Sequence, residues 1–380
     1  MRKWRVVGAG ALGWCCVGFA TGILTLAAAA APCGVSLGES DVQWMERAIA
    51  TGELADAQDF DWQDCGGGVV QLGVVFHIIR HNDGSDGLYY WEDVVTQSLE
   101  NANRDLAGAG VKLVQLVNTQ FLNDDTYYAV ISGYGDTSQF YDLVNNDSGV
   151  LGAINVYQVP NLHDTDGTEL GGLATYPGDV LGQGIVINNY STPGNFGDNS
   201  TFSHQIGHYL GLYHTSETSF GVECPDESNC GTAGDLICDT AADPGLQDAV
   251  DGNCVYVGIE YPADDAACGT TVPYAPPVDN FMSDARVGCR TTFSPDQLKR
   301  MSWFARHWRA SAIIGTGEVC VGNLSNACES GDMPDATVDQ LDLMAVLDHW
   351  GAPGGIWDLD QSGVVGIVDL LIVLESWGPC

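Results

Sequence analysis

His204-Gln205-Ile206-Gly207-His208-Tyr209-Leu210-Gly211-Leu212-Tyr213-His214 gathers three of the chain's eight histidines into eleven residues. On a helix, positions i and i+4 lie on one face, so His204 and His208 offer their imidazoles to one point in space. Gly211 lets the chain turn sharply out of the helix and bring His214 to the same point. Three neutral imidazoles leave the fourth position of tetrahedral zinc open, which is the arrangement of a catalytic site. The plainer reading, three ordinary histidines on a partly buried helix, does not account for the spacing together with the glycine.

Outward from this stretch the pattern alternates strands and helices. Residues 68–80 (GVVQLGVVFHIIR) are rich in β-branched side chains and read as a strand, and residues 90–106 carry apolar positions at helical spacing. Residues 112–117 and 127–132 read as further strands and 138–144 as a helix. Two more strands, 155–160 and 184–188, precede a helix over about 200–213. Residues 215–279 are rich in Gly, Asp, Pro and Cys and read as loops. A last helix over about 295–310 carries Lys299, Arg300, Arg306 and Arg309, which reads as a solvated face complementing the C-terminal dipole. Strands mixed with helices before a central helix predict an α/β (α+β) domain.

With these neighbours the histidine stretch resembles the metzincin signature H-E-x-x-H-x-x-G-x-x-H. The segments VVFHIIR, INVYQVPNL, GDLICDT and NFMSDARVGCRTTFSPDQLKRM narrow the resemblance to the pappalysin or cytophagalysin family of zinc metallopeptidases, over about Val69 to Trp308. The resemblance implies a central twisted sheet, a zinc helix at the floor of a peptide-binding cleft, and a Met-turn at Met282 beneath the metal. It also implies disulfides Cys224 to Cys268 and Cys254 to Cys289, and calcium near Asp235, Asp239 and Thr240. Cys33-Gly34 resembles the pro-segment cysteine with which some members fill the open zinc position; a disulfide from Cys33 to Cys65 is the other reading.

The departures from the family pattern fall on catalysis. The glutamate after the first histidine normally takes a proton from the attacking water and passes it to the leaving amine, and Gln205 stands there. An amide has nearly the same shape but accepts no proton near neutral pH, a loss of about 3–5 kcal/mol of transition-state stabilisation. Asp284, two residues beyond Met282, replaces the tyrosine that steadies the oxyanion, and an anion opposes that charge. The expectation is therefore a zinc-holding pseudoprotease or strongly impaired peptidase. The alternative is an active endopeptidase with another base, for which Glu217, Glu223 and Asp284 are nearest in sequence.

The ends of the chain have other tasks. Residues 1–31 combine a basic start, an apolar run and small residues near Ala31, the pattern of an export signal. Its removal leaves ten Lys and Arg against fifty Asp and Glu, and a surface this acidic argues against nucleic-acid binding. No later segment is apolar enough to span a bilayer. Eleven of the thirteen cysteines lie beyond that signal, most of them between Cys224 and Cys328, which in an exported chain reads as a stapled, loop-rich region. Residues 32–67 read as an N-terminal arm or pro-segment, 68–310 as the peptidase-like domain, and 311–331 as a linker. Within 332–380 the stretch from Val338 to Gly351 returns 27 residues later as Val365 to Gly378. Asp358, Asp360, Ser362, Val364 and Asp369 occupy loop positions 1, 3, 5, 7 and 12 with Gly363 at 6, an EF-hand-like calcium pattern that resembles a dockerin repeat. The earlier copy, 332–342, is one residue short and has Ala336 in place of the glycine. The dockerin resemblance implies a cohesin-like or cell-surface partner for this tail.

Overall fold

The computed structural model describes residues 33, 39–51, 54, 57–58, 60, 62 and 68–380, apart from 133–137, 180–181, 194–197, 259–267, 269–271, 316–336, 339, 353–358, 361, 376 and 380. The expected signal, Cys65, Asp332, Ala336 and Asp358 lie outside the described residues. No described helix is long and apolar enough to cross a membrane.

Strand β1 (Val70–Arg80) is the spine of a mixed sheet, and its residues Leu72 to Ile79 are all buried. A strand buried on both faces has no polar side to alternate with, hence its nearly continuous apolar run. β1 pairs in parallel with β2 (Val111–Gln115), β3 (Gln120–Asn123) and β5 (Ile154–Val159), and antiparallel with β9 (Ile313–Gly315). β8 (Ile185–Asn188) lies parallel beside β5, and β7 (Gly172–Ala174) closes the edge antiparallel to β8. A separate parallel pair joins β4 (Ala129–Ile131) to β6 (Asn161–His163). The strand expected over 127–132 is shortened because Asp124 caps a 3-10 turn, accepting from the backbone N–H of Thr126. β3, β6, β7 and β9 are only three or four residues each, too short for a period to show in the sequence.

The helices are α1 (Glu39–Thr51), α2 (Trp91–Asp105), α3 (Gln139–Val144), α4 (Thr201–Tyr209) and α5 (Pro295–His307), followed by two short helices in the tail. All nine residues of α4 are buried, and it packs between α2 and the β7–β8 edge. It ends on Gly211 at φ +87°, where the N–H of Leu212 reaches the Gly207 carbonyl and that of Gly211 reaches His208. This is a Schellman closure, and a Cβ at Gly211 would also lie 2.4 Å from the Phe304 ring. The helix is shorter than the expected 200–213 because this turn must come early enough to return His214.

Helix α5 corrects the expected solvated basic face. It begins with a capping box between Ser294 and Gln297. Arg300 and Arg309 are fully buried, and only Lys299 forms a surface pair, with Asp296. Arg300 donates to the carbonyls of Asp235 and Leu236 at 2.9 and 2.5 Å. Arg309 donates twice to the Tyr209 carbonyl at 3.0 and 2.9 Å and lies over the Tyr209 ring. Arg306 reaches the Gly68 carbonyl. Loops and a helix end leave backbone carbonyls without strand partners, and a guanidinium has the donors to satisfy several at once.

The N-terminal arm joins the same core. Trp44, Met45, Ala57 and Phe60 are buried in it, and Trp44 packs on Phe304 and Trp308. In the tail, α6 (Gln340–Asp348) and α7 (Ile367–Glu375) pack together around Val338, Val346, Leu359, Val365 and Val373. β10 (Thr337–Val338) pairs with β11 (Gly378–Pro379) to join the two ends of this repeat. Removing the Arg300 donors strands the Asp235 carbonyl, leaves the Leu236 carbonyl with only its Gln58 donor and takes the positive charge from beside the buried Asp235, so Arg300→Met should cost about 3 kcal/mol in chemical denaturation. Lys299→Met should stay within about 0.5 kcal/mol of wild type. Equal effects would contradict the buried role.

Candidate metal centre

Helix α4 and its glycine turn bring the three histidines together. His204 Nε2 and His208 Nε2 are 3.0 Å apart, and His208 Nε2 and His214 Nε2 are 3.1 Å apart. Cys33 Sγ lies 3.5 Å from His208 Nε2, and all four ligand atoms fall within 4.8 Å of one another. The edges of a tetrahedron around zinc measure about 3.3–3.6 Å for nitrogen and sulfur ligands, so the set fits that ion. His204 Nδ1–H donates to the Phe281 carbonyl at 2.5 Å and His208 Nδ1–H to Leu212 at 2.8 Å. These bonds fix the tautomer and leave both Nε2 lone pairs facing inward. Arg290 Nη1, 3.3 Å from His204 Nδ1, is then a second donor and adds charge without a hydrogen bond.

Burial holds His204 and His208 well below the ordinary histidine range, so both are neutral, as metal ligands must be. Burial also lowers His214, but the facing Asp284, Cys33 and Glu217 outweigh it and raise its pKa to about 9. Anionic surroundings that attract a proton there also attract a divalent cation. Met282 is fully buried, and a Cβ at Gly207 would lie 2.5 Å from its sulfur, which places the Met-turn directly under α4. Cys33 is not disulfide-bonded, its backbone bridged to Gly172 and its sulfur turned to the histidines, while Cys65, the partner in the alternative bridge, lies outside the described residues.

Gln205 is 1% exposed, and its Nε2 donates to Cys33 Sγ at 3.3 Å while its Oε1 has no hydrogen-bond partner. A Cβ at Gly172 would lie 2.9 Å from that Nε2, so only glycine fits there. The sequence held no signal for Gly172, because β7 is too short to recognise. The Asp284 carboxylate accepts from Ser216 Oγ at 2.9 Å, and Glu217 accepts from the backbone of Thr218 and Ser219. Asp243, also unforeseen, accepts from Thr215 Oγ1 at 2.6 Å and so braces the residue after His214.

Two histidines on a buried helix, a third returned by a glycine turn, and a methionine turn beneath that helix, all on a mixed α/β domain, make a site consistent with a metzincin-type metallopeptidase. Residues 145–305 match the family model described as pregnancy-associated plasma protein-A. A protein of Arthroderma gypseum named extracellular metalloprotease is 28% identical over 246 residues, 61% of this chain and 71% of that protein. Pappalysin-1 of Mus musculus is 33% identical over 141 residues, 35% of this chain and 8% of that protein. Among solved structures, mature mirolysin of Tannerella forsythia with a cleaved peptide overlaps at TM-score 0.44 and 16% identity, covering 65% of this chain and 96% of that one. The chain thus contains a pappalysin-like peptidase domain, homologous to extracellular fungal metalloproteases and to pappalysin-1.

The loops after the site are stapled by Cys224–Cys268 and Cys254–Cys289, the two bridges implied by family resemblance, and by Cys230–Cys238, which was not expected. Asp235 is buried and accepts from Thr240 Oγ1 at 3.0 Å, whereas Asp239 accepts from Ser294 Oγ and the Asp296 N–H at the start of α5. Glu223 is 4% exposed, and neither carboxylate oxygen has a hydrogen-bond partner. Burial, reinforced by Asp235, raises Glu223 to about 8, and burial raises Asp235 to about 7 despite Arg300. An acid whose folded pKa is raised stabilises the fold below its ordinary pKa and loses that contribution as pH climbs through the folded value. Without added metal, thermal stability should therefore fall between pH 5 and 8. Glu223→Gln should be the more stable form at pH 8, by at least about 1 kcal/mol, and match wild type near pH 4. Parallel pH curves for the two would contradict this environment.

Proposed function

We propose that this is an exported zinc protein of the pappalysin type that holds its metal but has lost most or all peptide hydrolysis. The observation that carries the reading is Gln205: the side chain in the position of the base is a buried amide bonded to a sulfur. Three disulfides and relatives named extracellular metalloproteases support export. His204, His208 and His214 would hold zinc, with the Cys33 thiol at hand as fourth ligand. Zinc in such a site supplies Lewis acidity toward a peptide carbonyl. This chain's residues supply the orientation: Phe281 and Leu212 fix two imidazoles, and Met282 supports the helix from below. No carboxylate stands at position 205 to move the proton, and Asp284, which takes the place of the oxyanion tyrosine in the family pattern, would oppose an oxyanion's charge.

One observation favours a second reading, an active endopeptidase with a displaced base. Asp284 and Glu217 both face His214 electrostatically, so carboxylates remain beside the site. Hydrolysis of a mixed peptide library separates the two readings. Wild type should show no chelator-sensitive turnover, in the native or in a Cys33→Ser background. Gln205→Glu and Gln205→Glu with Asp284→Tyr should gain at least about 100-fold, the worth of one positioned base. Chelator-sensitive turnover by wild type would establish the second reading.

For the tail we propose a dockerin-like calcium module that docks a cohesin-like or cell-surface partner. Asp369 is fully buried, its two oxygens accepting from the N–H groups of Asp360 and Gly366 at 3.0 and 2.6 Å. The oxygens of Asp360 and Ser362 and the carbonyl of Val364 share that turn. Asp235, Asp239 and Thr240 are proposed as a further calcium position on family resemblance. Calcium at a hundredfold excess over its Kd should stabilise the tail by about 2.7 kcal/mol in calorimetry. Asp369→Asn should abolish that shift, and its persistence would remove Asp369 from the ligand set.

A further inference from the structure

We infer that Gln205 is a positioning residue that holds the Cys33 sulfur on the metal, converting an open three-histidine site into a closed site of one cysteine and three histidines. The inference rests on the zinc reading above and goes beyond it, because it gives the glutamine a role of its own. It is more than a base that was lost.

Chemistry at the sulfur decides the sign. When a thiol binds zinc its proton leaves to solvent, and the remaining thiolate can only accept hydrogen bonds. The Gln205 amide donates one at 3.3 Å. A glutamate of the same shape would instead present an anionic oxygen to an anionic sulfur. The same argument fixes the amide's orientation, since turning it over would aim the carbonyl oxygen at the thiolate. The unpartnered Oε1, buried and without compensation, shows that the side chain is held there by the Nε2 contact and by packing.

The surroundings keep these groups in place. Gly172 leaves room for the amide on one side and is bridged to the Cys33 backbone on the other. The arm behind Cys33 is fastened well away from the metal. Trp44 fills the space that a Cβ at Gly178 would take, at 2.3 Å, and Met45 is fully buried. Gln58 Nε2 donates to the Leu236 carbonyl at 2.6 Å, and Trp62 lies over Gly110 and donates to Gly108 at 3.1 Å. These contacts tie the arm that carries the cysteine to the core of the domain.

The test is site-resolved alkylation of Cys33 by iodoacetamide on the full-length, zinc-loaded chain, with zinc content measured in parallel. Wild-type Cys33 should be protected and become reactive when zinc is chelated. Gln205→Glu, with zinc still stoichiometric, should alkylate about 10- to 100-fold faster, the scale on which second-layer partners tune metal ligands. Gln205→Met, which keeps the volume without donor or charge, should fall between and serves if the glutamate variant does not fold. Stoichiometric zinc with equal Cys33 rates in wild type and variants, or a wild-type rate indifferent to chelation, would overturn this inference and leave the zinc reading intact. Absence of zinc from wild type would overturn both.

Discussion

Three imidazole nitrogens with their lone pairs converging inside a packed core are tolerable only when a cation sits among them. His204, His208 and His214 meet this way, with Nε2 atoms 3.0 and 3.1 Å apart. Much of the architecture follows from supporting that arrangement. Gly211 must take a left-handed conformation to return His214, Gly207 must lack a side chain to admit Met282, and Phe281 and Leu212 must present carbonyls to fix the tautomers. The wholly buried α4 is the price of this geometry, because a helix without a solvent face needs neighbours all round.

Those neighbours explain where the charge is kept. The chain is strongly acidic, yet three of its thirteen basic residues, Arg290, Arg300 and Arg309, lie buried around the site and α5. Each donates to acceptors at a chain turn or helix end: Arg309 to the end of α4 at Tyr209, Arg300 to the loop at Asp235 and Leu236, and Arg290 to the start of α4 at Ser200 and Thr201. Arginine suits this task because its planar donors reach several acceptors and its charge persists on burial.

The histidine spacing, the strand at 68–80 and the helix beginning at Pro295 were legible in the sequence because each repeats a period or a cap over many residues. The burial of Arg300 and Arg309 was not, since a helix with basic residues near its C-terminus looks the same whether it meets water or unpaired carbonyls. Gly172 and Asp243 were equally silent, as their roles arise only when β7 and the loop after His214 close on the metal site. Gln205 lay between these cases. The sequence showed an amide where the family pattern has a glutamate, and only the position of Cys33 showed what that amide faces.

The central claim is that zinc here is held by one sulfur and three histidine nitrogens, with the cysteine donated by the chain's own arm. X-ray absorption at the zinc edge on the full-length chain tests it most directly. The account predicts a single sulfur shell at about 2.3 Å beside three nitrogens at about 2.0–2.1 Å. A spectrum with only nitrogen and oxygen neighbours would contradict it.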